Sequence, residues 1–248
     1  MNKLIVIDHA NIMFKSIFAF RNNQAVPVTY LYLSQITGYL KKIGITLDDK
    51  IIVGIDYSSW RKEIYPEYKA NRKALREKAE DADFWEEMFK EFNEFIPKLD
   101  ICLPWNFVKI YNCEFDDLAS FAVRYLNNYD EAVIISTDED LHQLCAIPNV
   151  KIFSPYSKKY KDVTNPEAIL LKKINKGCVV DNIIGVPKTQ EEWQIRRTIV
   201  SLLTLPTHIE QLIRPVFESL PIKNMYINKI PYRSIREKII QIYRLNEK

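Results

Sequence analysis

At 248 residues, with 47 % hydrophobic and 27 % charged side chains and a net charge of +3, the chain can bury one substantial core, or one core plus a smaller lobe. No apolar run is long enough to span a bilayer, and Asp8 and His9 interrupt the opening one before any signal-type cleavage pattern, so a cytoplasmic protein without a membrane partner is expected. Four cysteines with no CxxC pairing and three histidines at no ligand spacing argue against structural zinc and disulfides, which leaves carboxylates to carry any metal chemistry.

In chain order, Leu4-Ile5-Val6-Ile7 reads as a buried strand ending at Asp8, and residues 10–20 as a helix. Val28–Ile43 has helical apolar spacing, and residues 50–56 form a second strand, again closed by an aspartate, Asp56. Strand, helix, strand implies a right-handed parallel crossover. Residues 60–73 are basic and aromatic with no apolar face, and Lys69 and Arg72, three apart, share one side of a helix. Such a segment suits nucleic acid, with aromatics for bases and cations for phosphates.

Phe84, Met88, Phe92 and Phe95 then make a core stripe, and residues 101–103 and 107–111 are short strand candidates. Glu114-Phe115-Asp116-Asp117 opens a helix. The strand Val133-Ile134-Ile135 breaks at Ser136-Thr137-Asp138-Glu139-Asp140, and a helix is expected over residues 141–144. Residues 150–153 read as a strand, and Asn165-Pro166-Glu167 starts another helix. Beyond Gly185, residues 191–205, 207–217 and 232–245 read as helices separated by prolines; no glycine-rich phosphate loop occurs.

Any one of these acidic strand ends is, by itself, an ordinary helix cap. Together, Asp8, Asp56, Glu114/Asp116/Asp117 and Asp138/Asp140 occupy four strand-end or helix-start positions, which a parallel sheet gathers on one edge. Such crowding requires divalent cations, and all-oxygen ligands favour Mg²⁺ or Mn²⁺. Two ions roughly 4 Å apart are the usual device for phosphodiester hydrolysis. Two basic stretches flank the acids. Residues 58–78 hold seven basic side chains against three acidic ones, and residues 156–176 hold six lysines against Asp162 and Glu167.

These blocks resemble the 5′–3′ exonuclease/flap endonuclease family of PIN-like nucleases, and within it the bacteriophage ribonuclease H branch. The resemblance rests on Ile7-Asp8, Ile55-Asp56, Trp60-Arg61 with Tyr68-Lys69-Ala70-Asn71-Arg72, Glu114-Phe115-Asp116-Asp117, Ser136-Thr137-Asp138-Glu139-Asp140 and Gly177 to Gly185, from residue 2 to about 187. It implies an α/β fold with a central, mainly parallel sheet flanked by helices, a helical arch and a smaller C-terminal helical lobe. The expected division is an α/β nuclease domain over 1–165, with an arch or clamp over about 65–83, and a helical DNA-binding lobe with a degenerate hairpin over 166–248.

By the same resemblance, Asp8, Asp56, Glu114 and Asp116 hold a first Mg²⁺ or Mn²⁺, Asp138 and Asp140 a second, and Asp117 matches the pattern. Lys69 and Arg72 act on the scissile phosphate. The basic aromatic stretch offers Arg61, Tyr65, Tyr68 and Lys73 to nucleic acid, and because the family's glycine-rich hairpin after Gly185 is missing here, Lys158, Lys159, Lys161, Lys172, Lys173, Lys188, Arg196 and Arg197 are the candidates for gripping the duplex. The implied activity is metal-dependent cleavage at 5′ ends or 5′ flaps of DNA or RNA–DNA hybrids, as in primer removal during phage-type replication. The protein is then expected to be a monomer in the host cytoplasm, with a single-strand-binding protein or a polymerase clamp as partner. One departure matters. The family writes Gly-Asp-x-x-Asp-Asn-Ile-x-Gly where this chain has Gly177-Cys178-Val179-Val180-Asp181-Asn182-Ile183-Ile184-Gly185. Either Asp181 substitutes as a ligand, or the second ion site is weak, or the chain is a binder of branched DNA that cuts poorly.

Overall fold

A computed structural model describes residues 2–72, 81–126 and 128–244. Its centre is a six-stranded sheet in the order β3-β2-β1-β4-β5-β6. The strands are β1 Lys3–Asp8, β2 Lys50–Ile55, β3 Asn106–Lys109, β4 Glu131–Ile135, β5 Val150–Ser154 and β6 Lys159–Tyr160. The first five pair in parallel and only β6 runs antiparallel. The chain steps outward from β1 to β3 on one side and then returns to place β4 on the other side of β1. That reversal opens a crevice beyond the carboxyl ends of β1 and β4, the place where open α/β sheets bind ligands.

Both faces of the sheet are covered, so the strands are apolar throughout rather than alternating. Ile5, Ile7, Ile51, Val53, Val133 and Ile135 face α1 (His9–Asn22), α2 (Val28–Ile43) and α4 (Ala82–Cys102). Leu4, Val6, Ile52, Ala132 and Ile134 face α5 (Phe115–Tyr125) and α6 (Pro166–Lys176). The short α3 (Arg61–Ile64) follows β2. The last helices divide between the two faces. α7 (Gln190–Val200) and α8 (Thr207–Glu218) complete the α5 side through Ile199, Ile209, Ile213 and Phe217, whereas α9 (Arg233–Tyr243) packs Ile235 and Ile239 on the α2 side.

Gly54 in β2 lets α5 come close. A Cβ there would lie 2.6 Å from Cδ2 of Phe115, so a side chain would push away the helix start that carries Glu114 and Asp116.

The structure corrects three readings of the sequence. Residues 101–103 form no strand: Phe92, Phe95, Ile96, Leu99 and Cys102 continue one buried helical stripe, so α4 runs on through Cys102. Residues 141–144 lie in a 3₁₀ segment, Asp140–Ala146, rather than an α-helix. The helix expected over 191–205 stops at Val200. Residues 73–80 of the expected arch lie outside the described residues.

Candidate metal centre

The strand ends line an open cavity of about 820 Å³ whose walls include Asp8, Asp56, Glu114, Asp116, Asp138, Asp140 and Asp181, together with Lys62, Lys69, Arg72, Lys173 and Cys178. Asp8 ends β1 and caps α1, accepting from the Asn11 backbone N–H at 3.0 Å and from the Ser136 hydroxyl at 2.7 Å. Burial, reinforced by Asp56 and then by Asp138, raises its carboxyl to about 7. His9, next in sequence, turns into the core against the Tyr32 hydroxyl at 2.9 Å, and burial keeps it neutral. Asp56 follows β2, reaches solvent and accepts from the Phe115 backbone N–H at 2.7 Å, which ties β2 to the start of α5.

Asp116, Asp138 and Asp140 each bring a carboxylate oxygen within 4.8 Å of the other two. Burial, and after it the like charge of Asp138, lifts Asp116 well above the ordinary carboxylate range. Asp140 is raised in the same direction by burial, against the pull of Lys173. The Ser136 hydroxyl also accepts from the Asp138 backbone N–H at 3.1 Å, and Asp138 Oδ1 accepts from that of Asp140 at 2.9 Å, so a single turn presents both acids. Three oxygens at that separation fit a hard divalent ion such as Mg²⁺ or Mn²⁺, whose charge would remove the mutual repulsion.

Glu114 differs. It accepts from Lys69 at 2.5 Å, Ser59 at 2.8 Å, Arg61 at 3.1 Å and Tyr68 at 3.2 Å. Burial would raise its carboxyl, but Lys69 and Arg61 outweigh burial and hold it at about 2. Lys69 itself adopts a left-handed backbone, φ 56°, a costly conformation for a side-chain-bearing residue. Its own N–H donates to the Asp181 carbonyl at 3.0 Å.

Four expected contacts are therefore placed elsewhere. Asp117 is fully buried, and its two oxygens accept from Arg61 at 2.8 and 3.0 Å rather than facing the cavity. It also accepts from the Glu114 backbone N–H at 2.9 Å, closing the start of α5. Arg61 is 2 % exposed and its Nε–H donates to the Ile199 carbonyl at 2.7 Å, so it ties buried groups together instead of reaching out to nucleic acid. Tyr68, 3 % exposed, has no face free for a base. Lys173 is drawn inward to Asp140 and Asp181 and is not a surface lysine.

Tyr65 is half-buried with its hydroxyl on the Asn182 carbonyl. Arg72 reaches Asp181 at 3.3 Å. Lys158, Lys159, Lys172 and Lys188 are exposed, and Lys73 lies outside the described residues. Sequence reasoning missed Ser59 and Ser136, whose hydroxyls orient Glu114 and Asp8. For Ser136 the signal was available, a serine directly after a buried strand.

The loop 177–185 is a compact unit. Cys178 and Ile183 exchange backbone hydrogen bonds at 2.8 and 2.9 Å, and a Cβ on Gly177, φ 79°, would lie 2.3 Å from the Ile183 carbonyl oxygen. The unit is bonded to residues 65–72 through Asn71 to Val179, Asn182 to Glu67 and Lys69 to Asp181.

Comparison with known proteins places this arrangement. Ribonuclease H of Enterobacteria phage T4 is 31 % identical over 175 residues, which cover 68 % of this chain and 57 % of the relative. A Shewanella flap endonuclease Xni is 27 % identical over 165 residues, covering 66 % and 58 %. The chain thus spans less than two thirds of the length of these relatives. In fold, it superposes on a bacteriophage T5 flap endonuclease solved as a pseudo-enzyme–product complex with DNA and metal ions, at TM-score 0.61 and 19 % identity over 99 % of this chain and 100 % of the other. The T5 5′-exonuclease with bound zinc gives 0.59 at 20 % identity, over 96 % and 97 %. The sequence profile of the 5′–3′ exonuclease N-terminal, resolvase-like domain matches residues 3–174, and the chain belongs to that family.

Proposed function

We propose that this chain is a divalent-metal-dependent nuclease that hydrolyses phosphodiesters at 5′ ends or 5′ flaps of DNA or RNA–DNA hybrids, the reaction that removes primers in phage-type replication. The observation that carries this reading is the Asp116–Asp138–Asp140 group, its oxygens within 4.8 Å of one another at the carboxyl edge of a parallel sheet, with Lys69 and Arg72 lining the same cavity. The names of the relatives, a ribonuclease H and flap endonucleases, supply the substrate class.

Asp116, Asp138 and Asp140 would hold the ion, and Asp8 and Asp56 line the same cavity. A bound Mg²⁺ or Mn²⁺ supplies an acidified water and a Lewis acid for the phosphoryl oxygen. Lys69, pinned by Glu114 and by its own backbone bond to Asp181, presents a fixed positive charge to a phosphate entering the cavity, and Arg72 adds a second. Exposed Lys158, Lys159, Lys172 and Lys188 grip the duplex backbone, so recognition is by shape and phosphate rather than by base. The helices of 166–248 serve as the duplex-binding part, and residues 65–83 as the clamp for the 5′ strand. The protein acts as a monomer in the cytoplasm, with a single-strand-binding protein or polymerase clamp as its partner. No helix among the described residues is long and apolar enough to cross a membrane.

The test is cleavage of an end-labelled 5′-flap substrate with Mg²⁺ or Mn²⁺. Asp138→Asn is expected to reduce the rate by about 10³-fold or more, several kcal/mol of transition-state stabilisation, while the protein stays folded by circular dichroism. Unchanged turnover would refute the assignment. A wild-type protein that retards the flap in a gel but releases no product would favour the second reading, a binder of branched DNA, which the cavity-lining Cys178 motivates.

A further inference from the structure

The α6 side of the cavity is where this chain departs from its family's pattern, and the structure shows what has taken up the space. The Lys173 ammonium lies between two carboxylates, bonded to Asp140 Oδ2 and 2.5 Å from Asp181 Oδ2, with its side chain only 11 % exposed. Asp181 has no oxygen to spare, because Oδ1 faces Arg72 Nη2 at 3.3 Å and Lys69 Nζ at 4.0 Å. The neighbouring cavity residue that could have offered a carboxylate is a cysteine, and a thiol is a poor partner for Mg²⁺. Divalent ion and ammonium cannot occupy the gap between Asp140 and Asp181 together, because at such range like charges repel by several kcal/mol. On this side the donor set does not fit a second divalent ion.

The placement is built rather than incidental. Ile174, next to Lys173, is wholly buried, which fixes the last turn of α6. The tight turn at Gly177 folds the following loop back so that Asp181 faces that turn. Asp140 has two oxygens, so one can remain with Lys173 while the other joins Asp116 and Asp138 on an ion.

We propose that the Lys173 ammonium permanently fills the place of a divalent cation between Asp140 and Asp181, so that the cavity takes one ion, on Asp116, Asp138 and Asp140. The chain carries a fixed single charge where a two-ion nuclease would recruit a mobile double one, and the thiol at Cys178 accompanies that exchange. This inference rests on the nuclease reading above, and the two can fail separately.

The experiment counts ions. Mn²⁺ is titrated into the full chain by calorimetry, and the bound ions are examined by electron paramagnetic resonance, which detects coupling between neighbouring Mn²⁺ centres. Wild-type protein is expected to bind one Mn²⁺ per chain with an uncoupled spectrum. The double variant Lys173→Met with Cys178→Asp, which removes the ammonium and restores a hard ligand, is expected to bind two, with a coupled spectrum. Two ions on the wild-type chain would overturn the proposal and leave the nuclease reading intact. A folded double variant that still binds one would overturn it as well. Should that variant fail to fold, the wild-type count alone decides between one ion and two. Absence of any Mn²⁺ binding would instead sink the metal-dependent reading itself.

Discussion

On one wall of the cavity Glu114 accepts hydrogen bonds from Arg61, Lys69, Tyr68 and Ser59, and its carboxyl is held at about 2. Against this wall stands a second set, Asp8 and Asp116 (the latter only two residues from Glu114), which make no ion pair among the described residues; burial with neighbouring acids pushes both upward, Asp8 to about 7. The same residue type is used on both walls, yet one is neutralised by the protein's own cations before any ligand arrives and the other is left in deficit. The first wall is scaffold, stable without a ligand. The second is the proposed ion site, whose crowded acids cost stability in the metal-free chain.

The largest test of this contrast is on the scaffold wall. Arg61→Ala leaves Asp117 charged, buried and unpaired, and is expected to cost about 3–5 kcal/mol, with Tm falling by on the order of 10 °C. Adding Asp117→Ala to that variant should recover part of the loss, because the two residues act as one unit. A fully additive pair in thermal melts would break the distinction between the walls.

Lys69→Ala comes next. Its ammonium is both the partner of Glu114 and one of the cations lining the cavity, so kcat is expected to drop by about 10²–10³-fold while flap affinity changes little. Equal losses in KM and kcat would reassign Lys69 to binding.

The smallest expected effect is on the open wall, and its sign is opposite. An unfolded chain ionises Asp116 near 3.8, whereas the folded chain holds that proton to higher pH, so metal-free protein loses stability as pH rises above that value. Asp116→Asn should therefore abolish cleavage yet raise the metal-free Tm at pH 8 by about 2–4 °C, roughly 1 kcal/mol, with no gain at pH 3. A variant less stable than wild type at pH 8 would show that the open wall is not in deficit.

Strand ends were easy to read in the sequence because β-branched runs cannot hide. Leu4-Ile5-Val6-Ile7 and Val133-Ile134-Ile135 both stop at short polar breaks, and the parallel topology then brings Asp8 and Asp138 to one edge. What the sequence could not disclose is where a charge points. Arg61 and Asp117 are charged residues in charged stretches, indistinguishable on paper from surface ligands, and only the folded chain makes them a buried pair, with Arg61 also bonded to the distant Ile199 carbonyl. Residues 101–103 look β-prone in isolation, yet Ile101 and Cys102 are helical because the stripe from Phe92 through Leu99 to Cys102 leaves them no other register, and Leu103 caps the helix. β6, at two residues, is too short to leave a pattern. Lys173 was legible as a cation near the site, but its engagement with Asp140 and Asp181 depends on the turn at Gly177, a contact between backbone atoms that no side-chain pattern records.

The hydrogen bonds that fasten residues 65–72 to the loop 177–185 have a mechanical consequence. The segment that leads into the expected clamp and the loop that carries Asp181 share one foundation, although more than a hundred residues separate them in the chain. If the proposed clamp threads a strand, tension on the first would reach the second, and from there the carboxylate that holds Lys173 in place. Gripping the substrate and setting the charge that meets it would then be two ends of one lever.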